Sequence, residues 1–236
     1  MGKTDPCKMG LEVVMARKLA LVDVARMSEA GKKPGWTSRP GAQVIANENP
    51  SIDTRVLHVM WCDGDNVLYD QILRCERGGG VFLPVDQNGK VGLLKQWRPQ
   101  TTDMKAWQAS YPNMDVSLLG RESWELPRGF AKTGETTADT AVREAQEETQ
   151  SVVTSANNLG DVCDNTAFSP HLTGIQIGSI DMSKKPTDKP DPNEKLLAPV
   201  TFFTLLELKQ MVARGEIYDG YTLAALGLYF IQKYAK

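Results

Sequence analysis

The chain has 236 residues, with 27 Lys and Arg against 29 Asp and Glu and a formal net charge of −2 at pH 7. That length holds one sizeable domain with a small appendage. The near-balance of charge gives no bulk electrostatic pull toward nucleic acid or a membrane surface, and no apolar run approaches the ~20 residues of a membrane-spanning helix. Cys7, Cys62, Cys75 and Cys163 are scattered without a C-x-x-C spacing, so they read as reduced thiols of a cytoplasmic protein. His58 and His171 are the only histidines, which argues against a His-based metal cluster.

In chain order, residues 10–30 predict an amphipathic helix, and a Lys-, Gly- and Pro-rich loop follows to about Gly41. Strand-like runs come next at 43–46, 55–61 and 67–75, the last two joined by the hairpin signal Cys62-Asp63-Gly64-Asp65. Runs at 81–85 and 91–95 flank Asn88-Gly89, which predicts a second hairpin. A polar stretch with Trp107 and Tyr111 leads to a short strand at 124–126 and then to a helix from Thr136. Strands at 175–181 and 200–204 and helices at 205–213 and 222–234 complete the chain. Such intermixing predicts an α/β (α+β) class with a mixed sheet between helices. The expected division is an N-terminal helix and linker over 1–41, a small β subdomain over 42–77 and a main domain over 78–236.

The chemistry concentrates in GFAKTGETTADTAVREAQEE, residues 129–148. Gly129 is followed after five residues by Glu135, after seven more by Arg143-Glu144, and then by Glu147-Glu148. On a helix, Glu144, Glu147 and Glu148 share one side. Three neighbouring carboxylates repel one another unless something positive joins them, and Mg²⁺ takes oxygen ligands while bridging carboxylates to substrate phosphates. Gly129 tolerates unusual backbone angles and close approach, so the carbonyl of Arg128 is a candidate further ligand. Glu135 sits at the helix start, where the helix dipole favours a carboxylate. Arg143 reaches Glu135 only if the loop folds back, which would hold the array in place. Mg²⁺ or Mn²⁺ here would neutralise a diphosphate and acidify water. A separate carboxylate to orient or deprotonate that water is sought at Glu194, in Asp191-Pro192-Asn193-Glu194.

This constellation resembles the Nudix box: Gly, any five, Glu, any seven, Arg-Glu-apolar-any-Glu-Glu-any-Gly-apolar. Gln150 and Ser151 depart from its last two positions. Further matches resemble the ADP-ribose pyrophosphatase branch and cover about residues 43–236. Leu93-Leu94-Lys95-Gln96-Trp97-Arg98-Pro99 is similar to its strand ending in Gln-aromatic-Arg-Pro, and Trp124-Glu125-Leu126-Pro127-Arg128-Gly129 to its Trp-Glu-Leu-Pro-Ala-Gly. Gly215-Glu216-Ile217 and Asp219-Gly220-Tyr221-Thr222 resemble its closing segment. Pro170 comes nineteen residues after Ser151, later than that branch places its proline, His171 stands where Gly often follows, and 100–121 is longer than usual.

The resemblance implies an α/β/α sandwich with a mixed sheet, a small N-terminal antiparallel sheet and a homodimer that exchanges that sheet. It implies Glu144, Glu147, Glu148 and the Arg128 carbonyl as metal ligands, with Arg143 and Glu135 in the catalytic array. Arg98, Gln96, Glu125 and Pro170 fall on the substrate side. The expected reaction is Mg²⁺- or Mn²⁺-dependent hydrolysis of ADP-ribose or a related nucleoside diphosphate sugar to nucleoside monophosphate and sugar phosphate. The alternatives are another nucleotide (NADH, coenzyme A, a dinucleoside polyphosphate, capped RNA) or a non-catalytic nucleotide sensor. No Ser-Gln-Pro-Trp-type run follows the box, and only Gln150 speaks for the sensor.

Overall fold

A computed structural model describes residues 18–23, 55–63, 66–75, 77–97, 109, 112–113, 122–169, 171–187 and 196–234. The chain divides into two units, Met1–Glu76 with Asn165–His171, and Arg77–Asp164 with Leu172–Lys236. The expected strand at 43–46, together with Trp107 and Tyr111, lies outside the described residues. No described helix is long and apolar enough to cross a membrane.

In the first unit, β1 (Lys18–Asp23), β2 (Arg55–Asp63) and β3 (Asn66–Cys75) form an antiparallel sheet in sequence order. The β2–β3 pairing runs from Arg55↔Cys75 to Asp63↔Asn66, as the Asp-Gly signal between them predicts. The helix expected over 10–30 is corrected here: Lys18–Asp23 is a strand, paired with β2 from Lys18↔Cys62 to Asp23↔Leu57. Leu19 and Leu21 alternate with other residues, and so short an apolar run fits either period. The neighbouring strand edge decides the outcome by satisfying the backbone groups of the run.

The second unit is built on β4 (Gly79–Pro84) and β5 (Val91–Trp97). Between them Asp86 Oδ1 accepts from the backbone N–H groups of Asn88 and Lys90, each at 2.8 Å, and Gly89 takes a left-handed φ of 75°. The turn is therefore present, but the hairpin expected from Asn88-Gly89 is not. The Asp86 N–H donates to the Lys90 carbonyl at 3.0 Å and one isolated bridge, Val85↔Val91, follows it before β4 and β5 part into different sheets. β4 pairs antiparallel with β7 (Arg128–Phe130) and parallel with β9 (Thr173–Asp181), while β8 (Val152–Val162) closes a mixed sheet of order β7-β4-β9-β8. β5 lies between β6 (Glu122–Glu125) and β10 (Leu196–Phe203) in an antiparallel sheet. Register shifts in β10 surround Pro199, which cannot donate to a ladder.

Helices α1 (Thr137–Thr149), α2 (Leu205–Ala213) and α3 (Gly220–Tyr234) complete the unit. Side chains on β4 alternate in direction. Val81 and Leu83 enter the main core with Leu93, Ile175, Leu208 and Leu226, while Phe82 packs with Ala141 and Ala145 of α1. Gly80 lies on the same side as Phe82, and a Cβ there would meet the backbone of Thr137 and Ala141. That absent side chain lets α1 lie directly on the sheet, which fixes its acidic face beside the turn before β7.

Candidate active site

α1 begins with a capping box. Thr136 Oγ1 accepts from the Asp139 N–H and Asp139 Oδ2 from the Thr136 N–H, both at 3.1 Å. The loop before it folds back, as the pairing of Arg143 with Glu135 requires. Arg143 Nε donates to Glu135 Oε1 at 2.7 Å and Nη2 donates to Oε2 at 3.0 Å. Nη2 also donates to the Phe130 carbonyl at 3.0 Å, and Nη1 to Glu144 Oε1 at 2.7 Å and Glu147 Oε2 at 2.9 Å. One planar guanidinium thus organises three carboxylates and the loop backbone.

Hydrogen bonds from Arg143 are the main reason the Glu135 carboxyl is held down to about 2, against the opposing effect of burial and with help from the Lys132 N–H. Burial disfavours the Arg143 charge, but Glu135, Glu144 and Glu147 outweigh it and raise its pKa above the ordinary value.

Glu144 and Glu148 are almost fully buried, at 7% and 2% exposure, so neither carboxylate is simply a solvated helix charge. The Glu144 carboxylate lies against Gly129 where any Cβ would sit, so the opening glycine is required by close approach. Glu148 Oε2 accepts from the Arg128 N–H at 3.2 Å, and its Oε1 from Gln96 Nε2 at 3.4 Å. Lys132 Nζ meets Glu147 Oε1 at 3.2 Å.

The structure brings together Gln96, Glu125, Arg128, Glu135, Arg143, Glu144, Glu147 and Glu148 around the turn and α1. Gln96 and Glu125, expected on the substrate side, are buried and engage Glu148 and Arg128 respectively. Arg98, Pro170 and Glu194 lie outside the described residues.

Among the described residues, no three acidic, His or Cys side chains are gathered into a metal-sized cluster. Arg143 supplies the positive charge that the repelling Glu144 and Glu147 need. The donor set nevertheless suits a hard divalent cation: three carboxylate side chains on one helix face, two of them buried, beside a strand backbone approached closely at Gly129.

Asp219, Thr222 and the Arg128 side chain went unassigned from sequence. Asp219 Oδ1 accepts from Arg128 Nη2 at 2.9 Å, and its Oδ2 accepts from the Thr222 N–H at 2.9 Å. The available signal was Asp directly before a helix, a common N-cap.

A family model described as NUDIX domain matches residues 77–224. Among solved structures, the chain is similar to one described as an ADP compounds hydrolase, with a TM-score of 0.54 at 12% sequence identity. That likeness covers 81% of this chain and 91% of the other, and at such identity it speaks for the fold alone. No curated protein matches by sequence. With more than half of its length inside the NUDIX domain match, the chain belongs to the Nudix family of hydrolases of nucleoside diphosphate compounds.

Proposed function

We propose that this Nudix hydrolase cleaves the diphosphate of ADP-ribose or a related nucleoside diphosphate sugar with Mg²⁺ or Mn²⁺, working as a cytoplasmic homodimer. The observation that carries the reaction is the Arg143-centred array, which holds Glu135, Glu144 and Glu147 beside Gly129 of β7. The motifs around Gln96, Trp124 and Asp219 support the substrate class.

Glu144, Glu147, Glu148 and the Arg128 carbonyl would hold the cation, which supplies charge neutralisation at the diphosphate and acidifies water. Arg143 limits the repulsion among the carboxylates, and Gln96 orients Glu148 from the side of β5. Glu194 is the proposed group for orienting or deprotonating the attacking water. The departure at Gln150 does not favour a non-catalytic sensor, because Gln150 takes the left-handed conformation itself and the helix still ends there.

The test is turnover of ADP-ribose, ADP-glucose, GDP-mannose, UDP-glucose, NADH and diadenosine polyphosphates with each metal, comparing wild type with Glu148→Gln. We expect ADP-ribose or one of the nucleotide sugars to be hydrolysed only with metal, and the variant to lose at least ~100-fold in kcat, since it removes a charged ligand. Preference for NADH or a dinucleoside polyphosphate would overturn the substrate assignment. Equal rates for variant and wild type would overturn the metal-carboxylate mechanism.

A further inference from the structure

The first residue of β7 is an arginine, Arg128, where the branch that the sequence resembles carries alanine. This side chain is held from several directions. Its Nη2 donates to Asp219 Oδ1 at 2.9 Å and lies 3.4 Å from Glu125 Oε2, and the guanidinium carbon stands 5.3 Å from the Tyr221 ring centroid. Asp219 is fixed in turn, because its Oδ2 accepts from the Thr222 N–H at 2.9 Å and from Thr222 Oγ1 at 2.8 Å. Thr222 is fully buried, and its Oγ1 accepts from the Leu126 N–H at 3.0 Å.

These contacts close a ring: from the Leu126 backbone through Thr222 and Asp219 to the Arg128 side chain, and back along the chain to Leu126. The backbone N–H of the same Arg128 donates to Glu148 Oε2 at 3.2 Å. One residue therefore joins the head of α3, through its side chain, to the acidic face of α1, through its backbone. An alanine would keep the backbone bond and lose every side-chain contact. A lysine would keep the charge, but its flexible ammonium lacks the planar guanidinium that places Nη2 between Asp219 and Glu125 over an aromatic ring.

Resting on the Nudix reading of this site, we propose that the Arg128 side chain is a positioning residue. Paired with Asp219, it braces the start of β7 so that the backbone beside Glu148 is held in place for the cation. Groups that orient metal ligands commonly change metal affinity by ~10–100-fold when removed.

The experiment measures Mn²⁺ affinity of the substrate-free protein by electron paramagnetic resonance, with melting temperature, kcat and KM. The proteins are wild type, Arg128→Ala, Arg128→Lys, Asp219→Asn and the Arg128→Ala/Asp219→Asn pair. We expect Arg128→Ala to weaken Mn²⁺ binding ~10-fold and to lower kcat more than it raises KM, with Arg128→Lys recovering part of the loss. The double variant should be no worse than Arg128→Ala, since Asp219 acts through Arg128.

Wild-type Mn²⁺ affinity in Arg128→Ala, or losses that add in full across the pair, would overturn the proposal. If Arg128→Ala does not fold, Arg128→Lys and Asp219→Asn decide: Mn²⁺ binding unchanged in both counts against it. A wild-type protein that binds Mn²⁺ yet hydrolyses nothing in the panel sinks the functional reading alone, and the affinity comparison still decides the role of Arg128. A wild-type protein that binds no Mn²⁺ sinks both.

Discussion

Arg143 and Glu135 form the tightest pairing in the site, two hydrogen bonds between a planar guanidinium and a carboxylate, joined by the Lys132 N–H at 2.8 Å and Thr140 Oγ1 at 3.1 Å. The consequence is a pH dependence with a definite sign. The Glu135 pKa falls from 4.5 to about 2 on folding, so the unfolded chain binds the proton more tightly. The stabilisation is full above pH 4.5 and is lost as pH drops through about 2. Denaturation midpoints of wild type and Glu135→Gln should therefore differ at pH 7 and converge as pH falls across that window. A deficit in the variant that is as large at pH 3 as at pH 7 would show that the pair does not carry the effect. At this scale much was legible, because Gly129, Glu135, Arg143 and three Glu at fixed intervals constrain chemistry whatever the rest of the chain does. The Arg128–Asp219 bond was not, since 91 residues separate its partners and neither has a local reason to meet the other.

At the scale of elements, α1 shows how an unexpected residue is accommodated. Gln150 is the only described non-glycine residue with positive φ, at 52°, in the position where the Nudix box has Gly. Its Nε2 donates to the Glu147 carbonyl at 2.7 Å, capping one of the free helix-end acceptors. A side chain in this conformation costs roughly 1–2 kcal/mol, and the cap returns about 1 kcal/mol of it. Gln150→Gly should thus raise the free energy of unfolding by no more than ~1 kcal/mol, read from urea denaturation, and leave kcat within a few-fold. A gain of several orders of magnitude in rate would instead mean that Gln150 impairs the site. Other elements were harder to read. β8 went unread because 154–158 are exposed and short or polar, as suits an edge strand with no alternating apolar signal. β1 showed an apolar run that its pairing with β2 turned into a strand.

At the scale of the molecule, β4 is the element around which the second unit is organised. Its two faces serve two cores: Val81 and Leu83 on one side, Phe82 with Ala141 and Ala145 on the other. Phe82 is fully buried and supports α1 from beneath, so Phe82→Ala should cost ~3–5 kcal/mol in denaturant unfolding. The same change should lower metal-dependent turnover in protein that remains folded, because the helix bearing Glu144, Glu147 and Glu148 rests on that ring. A loss below 1 kcal/mol would mean that the helix repacks and that this second core contributes little. The separation of β4 and β5 into two sheets also belongs to this scale. The Asn88-Gly89 turn is local, but which edges the departing strands then find depends on β9, β6 and β10.

The sequence by itself determined the spacing of the acidic residues, the β2–β3 pairing, the turn at Asn88-Gly89, the helices α1, α2 and α3, and membership of the α/β class. These follow from periodicity, turn chemistry and charge, all of which act over a few residues. Only the tertiary structure decided which other strand edges pair, that β1 is a strand, and that Gly80 and Gly129 are small because a helix backbone and a carboxylate lie against them. It alone joined Arg128 to Asp219 and Gln96 to Glu148. Contacts between residues far apart in the chain depend on how whole elements pack, and no local pattern records the partner in advance.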